Sequence, residues 1–326
     1  MLKPLAGLML GLAALAAPFA AAAQDYPVKP VTVVVPFAAG GTADIFARMA
    51  AQHLQEKFGK PFVVENIGGA GSIIGVNKVA KAPGDGHMLS LASTSGLAIN
   101  PSLYGAKLPY NPSKELVAIA QVSMVPNVLV VNPEKIKART VPELIAYLKA
   151  NPDKVNYGSA GKGTSQHLAA ELFQQMTGTK MTHVPYKGSS AMLPDLVSGT
   201  IDLAFDNVPL LLPHAKTGKL VLLASATARR AEFDPALPTV AETLPGFEAV
   251  AWHGFLAPAG TPKPVIDRLS AEIVAFMSLP ATQAKFRELG ATPMTLGAEA
   301  FNAYVTAETT KWQKVIEAAK ISADLP

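Results

Sequence analysis

The sequence turns from strand to helix at Val33-Val34-Val35-Pro36-Phe37-Ala38-Ala39-Gly40-Gly41-Thr42-Ala43-Asp44, where an apolar run stops at a glycine pair. The run is rich in β-branched residues, as is typical of a buried parallel strand, and a helical pattern follows the glycines. Thr42 is in position to cap that helix, whose first turn contains Asp44. Such a junction exposes unpaired backbone N–H groups at the positive end of a helix dipole, so it predicts a site for a small anion.

Two further glycine-rich junctions of this kind occur along the chain. The first is Gly68-Gly69-Ala70-Gly71-Ser72, where Ser72 could cap the next helix. The second is Tyr157-Gly158-Ser159-Ala160-Gly161-Lys162-Gly163-Thr164, which also precedes a helix. The glycine spacing of the first misses the dinucleotide-binding fingerprint by one residue, and no acidic residue ends a following strand to hold a ribose. We therefore expect no cofactor.

The N-terminus and the composition indicate an exported protein. Residues 1–23 have the pattern of a secretory signal peptide: Lys3, an apolar run too short to span a membrane, and small residues before Gln24. Without Lys3 the chain has 27 basic and 24 acidic residues, a net charge of +3 with no basic run, so we expect no nucleic-acid partner. The chain contains no cysteine and therefore no disulfides. A periplasmic protein whose stability comes from its hydrophobic core fits these observations.

The order of predicted elements is that of two α/β units. Strands and helices alternate over residues 31–93 and again over 156–224, as in parallel sheets. We predict helices over 42–58, which Gly59 ends, over 141–150, which Thr140 caps, and near 189–198, which Gly199 ends. Two apolar runs within residues 117–131 indicate that the chain crosses between the units near Val125, and the strand at 248–258 returns to the first unit, followed only by helices.

These crossovers divide the chain into two predicted domains. We expect domain 1 to comprise residues 24–124 and 251–326, and domain 2 to comprise residues 125–250. Trp252 lies at the second crossover and is one of two tryptophans, so we expect its fluorescence to report a movement of the domains.

Catalytic and metal-binding patterns are weak. Ser159 invites a serine-hydrolase interpretation with His167 and Asp202 or Asp206, but a nucleophile elbow needs glycine at position 157, which is tyrosine. Gly163 stands where a phosphate-binding loop needs a serine or threonine to hold magnesium. The six histidines never occur at the spacing of paired metal ligands. We expect no catalytic residue and no metal site.

Two charged residues have alternative interpretations. Asp206 ends an apolar strand, where ligands gather in open α/β sheets, so it either binds an ammonium group or caps a loop. Lys162 lies between two glycines, and its side chain either reaches a ligand with a second negative charge or points to solvent.

The sequence resembles the extracytoplasmic solute receptors of the Bug, or tricarboxylate-binding, family of tripartite tricarboxylate transport systems. The resemblance spans nearly the whole chain after the signal. It rests on these motifs: Pro36–Asp44, Gly69–Ser72, Pro83–Gly86, Tyr157–Gly161, His183–Gly188, Asp206-Asn207 and Leu256–Pro262. Two positions depart from the family pattern, because Ala39 stands where the family often has proline and Lys162 charges a loop that is often neutral.

The resemblance implies an α/β fold of the two-domain periplasmic binding-protein class (type II-like), with a ligand cleft between the domains. It implies a monomeric receptor that captures a small organic acid or amino acid and delivers it to membrane transporter subunits. Two helix N-termini that face each other across a cleft can share one carboxylate. From the junctions and the resemblance together we predict these ligand-binding residues: Phe37, Ala38, Gly41, Thr42, Asp44, Ala70, Ser93, Thr94, Ser159, Ala160, Gly161, Thr164, His167 and Asp206.

Two other classes of function stay open at this point. The first is a sensor domain that binds the same ligands and signals to a membrane partner, which nothing in the chain distinguishes from a transport receptor. The second is an exported enzyme that acts on a small carboxylic acid, which turnover of a bound acid would reveal.

Overall fold

The computed structural model describes residues 26–318 and 321, so the predicted signal peptide of residues 1–23 lies outside the described residues. In the described part of the chain the strands are β1 (Val31–Val35), β2 (Phe62–Asn66), β3 (Met88–Ser93), β4 (Leu116–Val131), β5 (Asn156–Ser159), β6 (Thr182–Pro185), β7 (Leu203–Asn207), β8 (Val221–Ser225), β9 (Val250–Pro258) and β10 (Thr292–Pro293). The α-helices are α1 (Thr42–Phe58), α2 (Ile73–Ala80), α3 (Asn100–Tyr104), α4 (Pro112–Glu115), α5 (Val141–Ala150), α6 (Ser165–Thr177), α7 (Ser189–Ser198), α8 (Val208–Lys216), α9 (Lys263–Ser278), α10 (Pro280–Glu288) and α11 (Ala298–Ala318).

These strands form a mixed sheet in the order β2-β1-β3-β9-β4-β7-β5-β6, and β8 and β10 pair with β4. Strand β1 is parallel to β2 and β3, and β5 is parallel to β6 and β7. Strands β4 and β9 run antiparallel to their neighbours. We refer to β1–β3, β9 and β10 with their helices as lobe 1, and to β5–β8 with α5–α8 as lobe 2.

Strand β4 belongs to both lobes. Its residues from Leu116 to Pro126 pair with β9, and those from Asn127 to Val131 pair with β7 and β8. The two apolar runs seen in the sequence therefore form one continuous strand, although it contains a proline. Pro126 is the last residue that pairs with β9, so the proline lies where the strand changes partners.

Helices with strong local signals begin and end as the sequence predicts. Thr140 accepts a hydrogen bond from the backbone N–H of Glu143 and starts α5, while Gly199 in the left-handed conformation ends α7. Two predictions were wrong. Ser72 precedes α2 with a φ of 82° and makes no side-chain cap, and β10 follows β9 where only helices were expected. A two-residue strand is too short to leave a pattern in the sequence.

Strand β9 presents opposite faces to the core and to the space between the lobes. The Trp252 ring packs edge-on against Phe301 and Tyr304 of α11, and its Nε1 donates to Glu308 at 2.9 Å. Its neighbour His253 faces the other way, because successive side chains of a strand alternate. No helix in the described residues is both long and apolar enough to cross a bilayer.

Candidate functional site

A cavity of about 370 Å³, counted with its mouth, lies between the lobes near the carboxyl ends of β1, β3, β5 and β7. Lobe 1 contributes Phe37, Gly41, Thr42, Ala43, Ser93, Ser95, Ala251 and His253 to its wall, and lobe 2 contributes Ala160, Ser165, Gln166, Ser189 and Asn207. None of these described lining residues is a lysine, arginine, aspartate or glutamate. Recognition in this cavity therefore depends on neutral hydrogen-bonding groups and on helix dipoles.

The start of α1 forms the lobe 1 side of the cavity. Gly41 is the residue before the helix and makes no side-chain cap, while Gly40 donates its N–H to Asp44 Oδ2 at 2.9 Å. The expected cap by Thr42 is therefore wrong, because Asp44 bonds to the loop instead. The Thr42 hydroxyl is buried and has no hydrogen-bond partner in the described residues. It is left available to a ligand, together with the first N–H groups of α1.

Asp44 is anchored behind this wall. Arg48 Nε donates to its Oδ2 at 3.0 Å, and Asn66 Nδ2 donates to its Oδ1 at 2.9 Å. Although burial alone would raise the pKa of the Asp44 carboxyl, the hydrogen bonds from Arg48, Gly40 and Asn66 hold it below its ordinary value of 3.8. Asp44 is an ionised support for α1 and does not line the cavity.

Three helices of lobe 2 start at the same cavity. Ser165 is the first residue of α6, Ser189 is the first residue of α7, and Asn207 directly precedes α8. Thr164 caps α6 by accepting a hydrogen bond from the His167 N–H at 3.4 Å. With α1, four helix N-termini therefore surround the cavity, each of which carries unpaired N–H groups and a partial positive charge.

Asp206 lies behind the lobe 2 wall and joins three of its residues. Its Oδ1 accepts hydrogen bonds from Ser189 Oγ at 2.6 Å, from the Asn207 N–H at 2.8 Å and from Gln166 Nε2 at 3.2 Å. Its Oδ2 is buried without a partner in the described residues. Burial raises the pKa of Asp206 to about 6, against the effect of these hydrogen bonds.

Ser159 belongs to a buried cluster beside the cavity. Its Oγ lies 2.6 Å from His183 Nε2 and accepts the N–H of Gly161 at 3.1 Å. The rings of His167 and His183 stack at 4.3 Å, and burial lowers the pKa of His167 to about 3 and that of His183 to about 4. The serine is fully buried, and its partner is His183 and not His167, which the hydrolase interpretation named. These hydrogen bonds join the loop after β5 to β6.

Contacts across the cleft bring the glycine loops of the two lobes together. Ala38 donates its N–H to the Lys187 carbonyl at 3.1 Å. A Cβ on Gly71 would lie 1.8 Å from the Lys162 carbonyl oxygen, so only glycine permits this approach. The structure is therefore closed around the cavity. The Lys162 side chain does not line the cavity. Burial is the main cause of the lowered pKa of His167 and His183, and the positive charge of Lys162 lowers both pKa values further.

The structure separates the predicted ligand residues into two groups. Five of them line the cavity, namely Phe37, Gly41, Thr42, Ser93 and Ala160. The other nine lie beside or behind it, namely Ala38, Asp44, Ala70, Thr94, Ser159, Gly161, Thr164, His167 and Asp206. Thr94, for example, accepts the N–H of Trp252 at 2.8 Å. Most of these nine hold the loops that carry the lining residues.

Eight lining residues were missed by the sequence prediction: Ala43, Ser95, Ser165, Gln166, Ser189, Asn207, Ala251 and His253. For Ser165 and Ser189 a signal existed, because each is the first residue of a predicted helix that follows a strand. No local signal in the sequence marked Ala251 and His253. They belong to β9, and which of its side chains point into the cavity depends on its pairing with β3 and β4.

A closed cleft between two α/β lobes, surrounded by helix N-termini, defines a solute-binding protein of the periplasmic type. The chain belongs to the tripartite tricarboxylate transporter family receptors, whose family model matches residues 46–321. The members of this family are periplasmic solute-binding receptors that work with tripartite transporters. The fold class and the family that the sequence indicated are confirmed.

Individual relatives cover nearly the whole chain. Protein BugT of Bordetella pertussis is 36% identical over 316 residues, which are 95% of this chain and 94% of that protein. Rpa4515 of R. palustris, solved with adipate, superposes with a TM-score of 0.88 at 36% identity over 91% of this chain and 99% of that one. MatC from Rhodopseudomonas palustris, solved with bound malate, gives a TM-score of 0.84 at 30% identity over 89% and 100% of the two chains.

Proposed function

We propose that this protein is a periplasmic receptor that closes around a small carboxylate and delivers it to the membrane subunits of a tripartite tricarboxylate transporter. The observation that carries the proposal is the convergence of the N-termini of α1, α6, α7 and α8 on one cavity between the lobes. Adipate and malate, the ligands of the two solved relatives, are both small carboxylates. They define the class of ligand to test first.

The proposed site binds an anion without a basic side chain. Unpaired N–H groups at four helix starts and the free Thr42 hydroxyl supply hydrogen bonds to a carboxylate. A ligand that contacts both lobes stabilises the closed state, because in the open state it can bond to only one lobe. In this closure the two predicted domains, residues 24–124 with 251–326 and residues 125–250, would move towards each other.

The proposal includes four finer points. The receptor acts without chemical turnover, which fits a serine that is fully buried and a histidine pair kept neutral by burial. It is exported by the signal peptide of residues 1–23. It works as a monomer. It serves transport rather than signalling, as does the family to which it belongs.

The Thr42→Val variant tests the site. Valine keeps the shape of threonine but removes the unpartnered hydroxyl, so affinity for adipate or malate should fall by roughly 10- to 100-fold, the worth of a hydrogen bond to a charged group. The free energy of unfolding should stay the same or rise, because a buried unsatisfied hydroxyl is lost. Titration calorimetry and urea unfolding measure both quantities.

The matched control is Thr140→Val, which removes the threonine cap of α5 outside the cavity. This variant should lose about 1 kcal/mol of stability and keep its affinity. Wild-type protein that binds no carboxylate, or a Thr42→Val variant that binds as tightly as wild type, contradicts the proposal.

A further inference from the structure

We propose that the lobe 2 wall of the cavity selects carboxylates that carry a hydroxyl or ammonium group, because the side chains of this wall present hydrogen-bond acceptors to the ligand. This inference rests on the proposed function and names the chemical class of ligand for the same site. It follows from the direction of each hydrogen bond behind the wall.

The side-chain amides of Asn127 and Asn207 are oriented by a backbone carbonyl at the junction of the lobes. The Ala249 carbonyl can only accept, and Asn127 Nδ2 donates to it at 2.9 Å. This leaves Asn127 Oδ1 as the acceptor for Asn207 Nδ2 at 2.8 Å. The Asn207 amide is thereby fixed with its nitrogen towards β4 and its oxygen towards Gln166 at the cavity. A flipped Asn207 would place two donors or two acceptors face to face.

The hydrogen-bond partners of Gln166 also fix the orientation of its side-chain amide. Its Nε2 donates to Asp206 Oδ1 at 3.2 Å and to Asn207 Oδ1 at 3.5 Å, so both of its N–H groups are used within the wall. Its Oε1 accepts the hydroxyl of Ser165 at 3.3 Å. The Gln166 side chain therefore offers the cavity no free N–H.

Asp206 sets the orientation of the Ser189 hydroxyl. An ionised carboxylate only accepts, so Ser189 Oγ donates its hydrogen to Asp206 Oδ1 at 2.6 Å. The lone pairs of Ser189 Oγ then remain for the cavity, which Ser189 lines. With Asn207 Oδ1, this hydroxyl gives the wall two acceptors that lie close to the buried negative charge of Asp206. A hydroxyl or ammonium hydrogen of the ligand satisfies them, whereas a methylene group leaves them unpaired.

The lobe 1 side of the cavity adds hydrogen-bond donors of its own. The Thr42 hydroxyl is buried without a partner, and the N-terminus of α1 adds backbone donors. The backbone N–H groups at the helix starts of both lobes can bind a carboxylate, whereas Ser189 Oγ and Asn207 Oδ1 add side-chain acceptors for a hydrogen-bond donor on the ligand. Asp206 is a positioning residue that maintains these acceptors through Ser189 and Gln166.

Matched ligands test this inference on wild-type protein. Succinate, malate and aspartate share one carbon skeleton, and adipate, 2-hydroxyadipate and 2-aminoadipate share a longer one. Titration calorimetry should find the hydroxy or amino acid of at least one series bound about tenfold tighter than the plain diacid, as expected for one added hydrogen bond in a dry site. The hydroxy and amino arms distinguish the two possible donor groups.

The outcomes separate this inference from the proposed function. Plain diacids that bind as tightly as their hydroxy and amino counterparts in both series overturn the inference and leave the proposed function standing. Protein that binds none of the six acids overturns both.

Two variants test the role of the wall. Asp206→Asn introduces a donor at the position of the accepting carboxylate, and Ser189→Ala removes an acceptor. In each variant the preference for the substituted acid over the plain diacid should fall below about threefold. Because this readout is a ratio of two ligands, a purely structural loss does not change it.

Asp195→Asn is the matched control for these variants. Asp195 lies on the same helix as Ser189 and accepts a hydroxyl, that of Tyr186 at 2.6 Å, but it does not line the cavity. The ligand preference should survive in this variant. If Asp206→Asn does not fold, Ser189→Ala alone decides, and a preference that persists in Ser189→Ala overturns the inference.

Discussion

Single polar atoms at the cavity are left without partners, and this has a cost in the free protein. The Thr42 hydroxyl and Asp206 Oδ2 are both buried with no hydrogen bond in the described residues. A buried unpaired polar group costs on the order of 1–3 kcal/mol. At Thr42, which lines the cavity, this cost favours ligand binding, because the bond that the free protein lacks can form with the ligand.

Asp206 should make the stability of the protein depend on pH. Burial raises its pKa from 3.8 to about 6, so the folded state favours the protonated form. Its stabilising contribution is therefore complete below about pH 4 and is lost as the pH rises through about 6. In urea unfolding from pH 4 to 7, Asp206→Asn should gain stability relative to wild type as the pH rises.

The difference between the two proteins is the informative quantity in this experiment. The buried His167, His183 and His253 have lowered pKa values, so their contribution falls as the pH drops below about 6.5, in the opposite direction to that of Asp206. These histidines are present in both proteins and cancel in the difference. A difference that stays constant from pH 4 to 7 contradicts the raised pKa.

At the scale of elements, the glycine loops decide whether the lobes can close. Gly71 has a φ of 57° and approaches the Lys162 carbonyl so closely that a methyl group would overlap it. Gly71→Ala should therefore favour the open state and weaken ligand binding by about tenfold or more, since closure and binding are coupled. Titration calorimetry with the ligand bound by wild type measures this loss.

Gly59→Ala provides the control for backbone strain. Gly59 ends α1 with a φ of 66°, and a Cβ there would meet no atom within 4 Å. Alanine should cost about 1 kcal/mol of stability at either position, because both need a left-handed backbone. Only Gly71→Ala should lose affinity. Equal affinities of the two variants would show that the contact with Lys162 does not control closure.

At the scale of the whole molecule, ligand binding should change the shape of the protein more than the environment of its tryptophans. Trp252 packs against α11 and Trp312 belongs to α11, so both lie in the core, and Trp252 turns away from the cavity. The expectation that Trp252 fluorescence reports closure is therefore not supported by its position. Small-angle scattering should show a smaller radius of gyration with ligand, while tryptophan emission stays nearly constant.

A matched reporter checks the same point. A tryptophan introduced at the partly buried Phe37, which lines the cavity, should change its emission on ligand binding. A large emission change in wild type, or scattering curves that ligand does not alter, would contradict this description of closure.

The sequence alone determined the alternation of strands and helices, the positions of the glycine junctions and the bounds of several helices. Helices α1, α5 and α7 begin and end at the predicted residues. These features depend on residues within one turn of each other, through caps, proline at helix starts and glycine at helix ends, so their signals are local. The motifs around these junctions also sufficed to indicate the family.

Only the tertiary structure decided which groups face the cavity. Asp44 bonds to the loop and thereby leaves the Thr42 hydroxyl free, and strand pairing turns His253 towards the cavity and Trp252 towards α11. The acceptors of the lobe 2 wall depend on a chain of hydrogen bonds from Ala249 through Asn127 to Asn207, residues that lie 122 and 80 positions apart. The direction of each bond is set by its neighbour in space, and no local pattern in the sequence records that neighbour.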